Sequence, residues 1–145
     1  MKKLALSIAL LGLVQTAAFA DDDKPIQFSQ LPATAQQFIK QYFGDKKIAL
    51  AKMESDFFGK NYDVIFANGD KVEFDRSGEW TEVQCKYTQV PDKLVPEPVK
   101  KFVTENYPDS KVLKFERDRN DYEVKLSNGW ELTFDKQYQL IDMDN

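Results

Sequence analysis

The sequence contains no histidine, and its 145 residues include a single cysteine, Cys85. Without histidine there is no Ser-His-Asp or Cys-His machinery, no His-ligated zinc and no usual general base for neutral pH. A lone cysteine excludes an internal disulfide and thiolate metal sites. We therefore expect a protein that is not an enzyme and holds no cofactor. Cys85 is expected to be a buried strand residue, the alternatives being an intermolecular disulfide or a reactive thiol.

Long apolar runs are also missing, except for one near the N-terminus. Lys2 and Lys3 precede an apolar stretch over residues 4–14, and Ala18-Phe19-Ala20 follows as a small-x-small cleavage site. This pattern predicts a signal peptide over residues 1–20, cut after Ala20, because the apolar run is too short to span a membrane. We expect a periplasmic or secreted protein with no membrane insertion after cleavage.

The charge is modest and mixed. Removal of Lys2 and Lys3 leaves 18 basic and 24 acidic residues, a net charge of −6, with both signs interspersed along the chain. Such a balance argues against nucleic acid or an anionic membrane as partner.

An internal repeat is the strongest positive signal. The fourteen residues YDVIFANGDKVEFD, from Tyr62 to Asp75, align without a gap with YEVKLSNGWELTFD, from Tyr122 to Asp135, and six positions are identical. Each copy follows an amphipathic helix that opens with an apolar residue and a proline (residues 31–32 and 95–96) and is flanked by short, turn-bounded strand patterns. The order predicts an α+β fold of two αββββ repeats, with repeat one over 21–87 and repeat two over 88–145. Asp21 to Lys24 is expected to be a frayed start.

Side-chain alternation predicts the turn inside each repeated hairpin. A two-residue Asn-Gly loop would place the apolar residues of the two strands on opposite faces, whereas a three-residue loop aligns them. We therefore predict loops over 67–69 and 127–129, with Gly69 and Gly129 in the left-handed conformation. Tyr62 would then pair with Phe74. One face would carry the apolar rows and the helices, and the other would be an open, charged surface.

The paired pattern of Leu/Val-Pro, amphipathic helix, Tyr-x-Val, Asn-Gly and Phe-Asp resembles the tandem PepSY-like domains described as beta-lactamase-inhibitor-like. The resemblance covers residues 28–143, nearly all of the mature chain. It implies a continuous, curved antiparallel sheet with helices on one face. In the inhibitor that gives the fold its name, the open face grips a protein. No motif in this sequence aligns the inhibitory residues.

The open face is the candidate binding surface, because aromatic side chains on a polar sheet face are common interface anchors. Trp80 belongs to it if Thr81, Val83 and Cys85 point inward. A change of alternation in the turn before it would instead make Trp80 close the edge of the core. Glu73 is expected to keep an ordinary pKa on a solvated strand. The candidate binding residues are Trp80, Ile65, Lys71, Glu73, Lys125, Glu131, Thr133 and Tyr138.

Acidic clusters occur at residues 21–23, at Asp118 and Asp121, and at Asp142 and Asp144, but none has the spacing of an EF-hand loop, so no metal site is predicted. The leading function hypothesis is a non-enzymatic module that binds an unknown protein or peptide in the periplasm through the open face. The alternative is a small-ligand or divalent-metal carrier using the acidic turns or the cleft between the copies.

Overall fold

The computed structural model describes residues 23–57 and 59–145. The predicted signal peptide and its cleavage site lie outside these residues and stay predictions, as do the repeat boundaries.

Within residues 23–57 and 59–145, two α-helices form where the apolar stripes predict them. Helix α1 spans Ala33–Phe43 and buries Ala35, Phe38, Ile39 and Phe43, while helix α2 spans Glu97–Asn106 and buries Val99 and Val103. Both begin directly after a proline, Pro32 or Pro96, whose fixed φ suits the entry to a helix.

In the part of the chain that the structure describes, nine strands make one antiparallel sheet in which every strand lies beside its neighbours in sequence. The strands are β1 (Asp23–Ile26), β2 (Ile48–Asp56), β3 (Gly59–Phe66), β4 (Lys71–Phe74), β5 (Trp80–Gln84), β6 (Val112–Arg117), β7 (Asp121–Leu126), β8 (Glu131–Asp135) and β9 (Leu140–Asp144). Short 3-10 turns precede the two helices, at Phe28–Gln30 and Asp92–Leu94. The predicted α+β class is therefore confirmed.

Both helices pack on one face of the sheet, which we call the core face. Phe38 of α1 meets Phe74 edge-on at 5.6 Å, and Phe102 of α2 meets Phe134 in the same geometry at 5.7 Å. Residues of β3 to β8 complete this core, among them Val64, Val72, Val83, Phe115, Val124 and Leu132. The opposite face, which we call the open face, carries no helix in the described part of the chain.

The three-residue loops are confirmed in both hairpins. Tyr62 pairs with Phe74 and Tyr122 with Phe134. Gly69 has a φ of 95° and Gly129 a φ of 97°, backbone conformations that side chains other than that of glycine rarely adopt. The loops therefore align both apolar rows toward the helices.

The expectation of a frayed start is wrong for its last two residues. Asp23 and Lys24 belong to β1, which pairs with the long strand β2 in the register Asp23 to Glu54. β2 extends to Asp56, beyond the apolar run visible in the sequence, and so offers an edge on which these residues form a ladder. The Asp23 carboxylate also lies 3.4 Å from the Lys52 ammonium.

Cys85 is buried, as predicted, with 1% of its surface exposed. Burial, assisted by the Asp70 carboxylate, raises the pKa of its thiol to about 12. Since the thiolate is the reactive form, Cys85 is protected against both reaction and pairing between chains.

Candidate functional site on the open sheet face

Five acidic side chains stand directly beside one another across the open face. The pairings Asp63–Glu73, Glu73–Glu82, Glu82–Glu116 and Glu116–Glu123 link five consecutive strands, β3 to β7. We call these five residues the acidic row. With strands about 4.8 Å apart, the row extends over about 19 Å.

The row depends on the junction between the two repeats. Each half supplies part of it by strand alternation, and the pairing of β5 with β6, which we call the seam, brings Glu82 opposite Glu116. Like charges directly opposite one another destabilise a sheet. Packing therefore does not explain this arrangement.

Lysines compensate part of the charge. Lys71 lies 3.8 Å from Asp63 and 3.7 Å from Glu73, and Lys114 lies 3.4 Å from Glu82. Lys52 approaches Asp63 from the other side, also at 3.8 Å. Three ammonium groups thus face five carboxyls, and the acidic row keeps an excess of negative charge when all its members are ionised.

Protons bound to Glu73 and Glu116 compensate much of the remaining negative charge of the acidic row. Burial, a hydrogen bond with Glu82 and the Glu82 charge raise the pKa of Glu73 to about 7. Burial also raises the pKa of Glu116 to about 7, with Asp118 and Glu82 adding to the effect against Lys114. The pKa of Glu82 is lowered, because hydrogen bonds from Glu73, Lys114 and Glu116 outweigh its burial. Glu82 is therefore an ionised centre between two neighbours that hold protons near neutral pH.

Asp63 ends the row and is covered by its neighbours. Only 2% of its surface is exposed, and its Oδ1 accepts no hydrogen bond although it is buried. Burial raises the pKa of this carboxyl, opposed by Lys71 and Lys52 and assisted by Glu54. An unsatisfied buried oxygen costs about 1 to 3 kcal/mol, so the Asp63 position also reduces stability.

The acidic row is linear. Within residues 23–57 and 59–145, no three Asp, Glu or Cys side chains converge into a set that could hold a metal ion. Carboxyls spaced along a line suit an elongated cationic surface better than a single compact ion, which needs several oxygens around one point.

A shallow cavity of about 200 Å³ adjoins the row on the same face, lined by Gln84, Lys86, Leu113, Lys114 and Lys125. Its lysines place a basic area next to the acidic row. A cavity of about 150 Å³ lies elsewhere, between the linker that joins the repeats and α2, where Val90, Lys100 and Lys111 are among the lining residues.

Six of the eight predicted site residues do lie on the open face. Cross-strand pairs bring Ile65 beside Lys71 and Lys125 beside Glu131, and connect Glu73 and Thr133 to the row that contains Asp63 and Glu123. Their proposed role in binding stays a prediction.

The placement of Trp80 among the open-face binding residues is wrong, because its side chain lies on the core face. An irregularity in the pairing between Glu73 and Phe74 brings Trp80 opposite Phe74 and reverses the alternation. The Trp80 ring stacks on the Phe38 ring, with 5.9 Å between the ring centroids. The Arg117 guanidinium carbon lies over the Trp80 ring, 3.9 Å from its centroid. Trp80 therefore closes the core, which is the alternative that the sequence left open.

Tyr138 is also wrongly placed by the sequence pattern. It lies in the turn before β9, with a φ of 64°, and its ring stacks on Tyr122 at 5.2 Å. Tyr122 packs against the core, so Tyr138 extends the core-face aromatic cluster.

The expectation of an ordinary pKa for Glu73 is wrong too. Alternation alone places Glu73 on the open face, but the acids that raise its pKa, Glu82 and Asp63, come from β5 and β3. The other four members of the acidic row were missed as site residues: Asp63, Glu82, Glu116 and Glu123. The only signal in the sequence was the alternation of acidic residues within each strand, because the register across the seam is set by tertiary pairing.

Neither helix in the described part of the chain has the length and apolar character needed to cross a membrane. The family model described as "Putative beta-lactamase-inhibitor-like, PepSY-like" matches residues 60–142. The chain belongs to this family. No curated protein matches the chain significantly.

Three crystal structures of proteins described as putative periplasmic proteins are similar to this chain. One from Bacteroides vulgatus, assigned to the DUF2874 family, shares 66% identity over 87% of this chain and 99% of its own, with a TM-score of 0.83. One from Bacteroides thetaiotaomicron, described as a "putative calcium-regulated periplasmic protein", shares 64% identity over 85% of this chain and 97% of its own, also with a TM-score of 0.83. A second Bacteroides vulgatus protein, described as having unknown function, shares 35% identity over 85% of this chain and 99% of its own, with a TM-score of 0.81. All three proteins are thus described as putative periplasmic proteins, and none of the three descriptions names an activity.

Proposed function

We propose that this protein is an exported, non-enzymatic module that binds a protein or peptide through its open sheet face, with the acidic row contacting a basic surface of the partner. The observation that carries the proposal is the direct pairing of five acidic residues across five strands.

The energetic argument is that the acidic row opposes folding. Ionising the row costs free energy, because burial and neighbouring carboxylates raise the pKa of Glu73 and Glu116, and Asp63 has a buried oxygen without a hydrogen bond. Features that reduce stability, and that no packing interaction compensates, are typical of functional sites. A basic partner would supply the positive charge and the hydrogen-bond donors that this face needs.

Export is supported by the signal-peptide pattern of residues 1–20 and by the periplasmic descriptions of the similar structures. The family description adds an analogy with an inhibitor that grips a protein, but fold alone does not determine function. Inhibition of an enzyme is one special case of the proposal.

The test is affinity capture from a periplasmic extract with the purified exported protein as bait. A Glu73→Gln/Glu116→Gln/Glu123→Gln variant neutralises most of the acidic row. The matched control, Glu97→Gln/Glu105→Gln/Asp109→Asn, makes the same number of acid-to-amide changes on the exposed surface around α2. Capture is carried out at pH 8, above the raised pKa values of Glu73 and Glu116, so that the two variants lose a comparable charge. The proposal expects partners that the wild type and the control retain and the row variant loses, with retention decreasing as salt increases.

Equal retention of every partner by the row variant and the control would reject the open face as the binding surface. Retention by neither variant would show that overall charge decides capture, which also contradicts the proposal.

A divalent-cation carrier is the second candidate. It is favoured by the excess of carboxyls in the row and by the calcium-regulated description of the Bacteroides thetaiotaomicron relative. Because bound ligand stabilises the folded state, calcium or magnesium chloride should raise the melting temperature, and more so at pH 8 than at pH 6, where protons compete for Glu73 and Glu116. No increase over a sodium chloride control of equal ionic strength would reject it.

A further inference from the structure

The outer edge of β9 is a second surface, separate from the open face. β9 is the last strand of the sheet, and within the described residues no strand pairs with its far side. The equivalent strand of the first repeat is β5, because Val83 pairs with Val72 as Met143 pairs with Leu132. On β5 the same edge is occupied by β6, an antiparallel strand. The pairing of β6 with β5 therefore shows how a strand could pair with the equivalent edge of β9.

The backbone of β9 is oriented for such pairing. Leu126 donates its N–H to the Trp130 carbonyl at 2.9 Å, and Leu132 lies two residues further along the same ladder. Hydrogen-bonded pairs alternate along an antiparallel ladder, so Leu132 points its N–H and C=O toward β7. Its neighbour Met143 then points its own N–H and C=O away from β8. These groups are available to an added strand.

Two apolar side chains of β9, Ile141 and Met143, are exposed to solvent. Val83, which has β6 beside it, is fully buried, whereas the equivalent Met143 is 40% exposed and the adjacent Ile141 is 58% exposed. Exposed apolar side chains on an open strand edge are a usual feature of strand-addition sites.

The negative charge at the outer edge of β9 indicates which kind of strand can pair with it. Asp142 and Asp144 line the open-face side of this edge, opposite Thr133 and Glu131. Antiparallel pairing of two β9 strands would bring aspartates of the two copies together. Within the described residues, the other edge strand of a second copy is β1, which carries Asp23 and, at Pro25, lacks a backbone N–H. Self-association is disfavoured in both arrangements, while a basic strand is complementary.

We propose that the outer edge of β9 receives an antiparallel strand from a partner segment in which basic side chains alternate with apolar ones. The basic residues face Asp142 and Asp144, and the apolar residue between them packs beside Met143. This interaction is by backbone pairing and does not depend on the function proposed for the acidic row.

The test uses a fluorescent, end-capped hexapeptide based on residues 112–117, the strand that occupies the edge of β5. The substitution Glu116→Lys gives it two lysines that face Asp144 and Asp142 in the equivalent register, with Phe115 facing Met143. A control peptide carries Lys114→Glu and keeps Glu116. Binding to the purified exported protein is measured by fluorescence anisotropy.

We expect saturable binding of the lysine peptide, at least tenfold weaker binding of the acidic peptide, and at least a tenfold loss with Met143→Pro. Proline at position 143 removes the outward N–H without removing a bond to β8, and Met143→Ala, which keeps that N–H, should retain more binding. The row variant Glu73→Gln/Glu116→Gln/Glu123→Gln removes any binding of the basic peptide to the acidic row, and the loss caused by adding Met143→Pro should persist in it, which separates this site from the acidic row.

The proposal is overturned by equal binding of the two peptides, by undiminished binding to Met143→Pro, or by no binding of the lysine peptide up to millimolar concentration. A dimer that dissociates on Met143→Pro would assign the edge to a second copy and would overturn it as well.

Discussion

The two halves of the sheet have the same strand pairings but different charges on the open face. Across the first half the open face reads Lys52, Asp63, Glu73, Glu82, and across the second it reads Glu116, Glu123, Thr133, Asp142. The identical residues within the strands, Tyr62, Val64 and Phe74, are on the core face. The difference teaches that the repeat preserves the scaffold and that the open-face residues are those that vary, with acidic density highest at the seam.

The turns before β5 and β9 differ in a related way. Both contain a residue at positive φ, Gly78 in the first half and Tyr138 in the second. In the first half the start of α1 packs on this glycine, since a Cβ there would lie 2.8 Å from the Pro32 Cβ. In the second half the position holds a tyrosine ring that stacks on Tyr122. The same turn therefore serves close helix packing in one half and aromatic packing in the other.

The largest expected effect contrasts the two faces. Trp80→Ala should lower the free energy of unfolding by about 3 kcal/mol, because it removes a large ring from the core. Ile65→Ala, on the open face, should cost less than about 1 kcal/mol. Urea denaturation followed by circular dichroism measures both. Equal costs would contradict the core-face position of Trp80.

The next largest expected change in stability distinguishes the turn before β5 from the turn before β9. Gly78→Ala should destabilise the protein by about 2 to 4 kcal/mol, since it combines positive φ with a clash against Pro32. Tyr138→Gly should change stability by less than about 1 kcal/mol, because relief of backbone strain offsets the lost ring contact. Thermal and urea unfolding of both variants provide the comparison. A harmless Gly78→Ala would mean that α1 does not need this close approach.

The pH dependence of stability separates Glu73 from its counterpart, Thr133. The folded pKa of Glu73 is about 7, above its ordinary value of 4.5, so the folded state binds a proton that the unfolded state has released. Stability should therefore fall as pH rises from about 5 to about 8, by about 1 kcal/mol for this group after allowance for its contact with water. Glu116 adds a change of the same sign.

Glu73→Gln should flatten this slope, whereas Thr133→Gln should leave it unchanged. Urea midpoints collected at several pH values measure the slopes. Identical slopes for Glu73→Gln and the wild type would exclude Glu73 as the source.

The smallest expected change in stability comes from a substitution that extends the acidic row further into the second half of the sheet. Thr133→Glu would place a carboxyl between Glu123 and Asp142. We expect a loss of about 0.5 kcal/mol at pH 8 and a smaller one at pH 5, because cross-strand like charges repel mainly when ionised. Stabilisation at pH 8 would show that the row tolerates added charge and would weaken the argument from its energetic cost.

Much of the fold follows from local sequence patterns. The helices after Pro32 and Pro96 are readable from their apolar stripes, and the loops at Gly69 and Gly129 from side-chain alternation, because these are local properties. The first strand was not readable, since Asp23 and Lys24 form a ladder only when the edge of β2 is present.

The candidate site was predictable only in part. The open-face positions of Ile65, Lys71 and Glu73 follow from alternation within one hairpin. Trp80 was ambiguous because an irregularity in the β4–β5 ladder reverses the alternation. The acidic row as a whole depends on Glu82 meeting Glu116 across the seam, a contact between residues far apart in sequence whose register no local pattern specifies.

The central claim is that two carboxyls of the acidic row, Glu73 and Glu116, hold protons near neutral pH on either side of the ionised Glu82. Its most direct test is an NMR titration of the side-chain carboxyl carbons of Glu73 and Glu116 in the folded protein. The account predicts midpoints near pH 7 for both residues. Midpoints near the ordinary glutamate value of about 4.5 would contradict it.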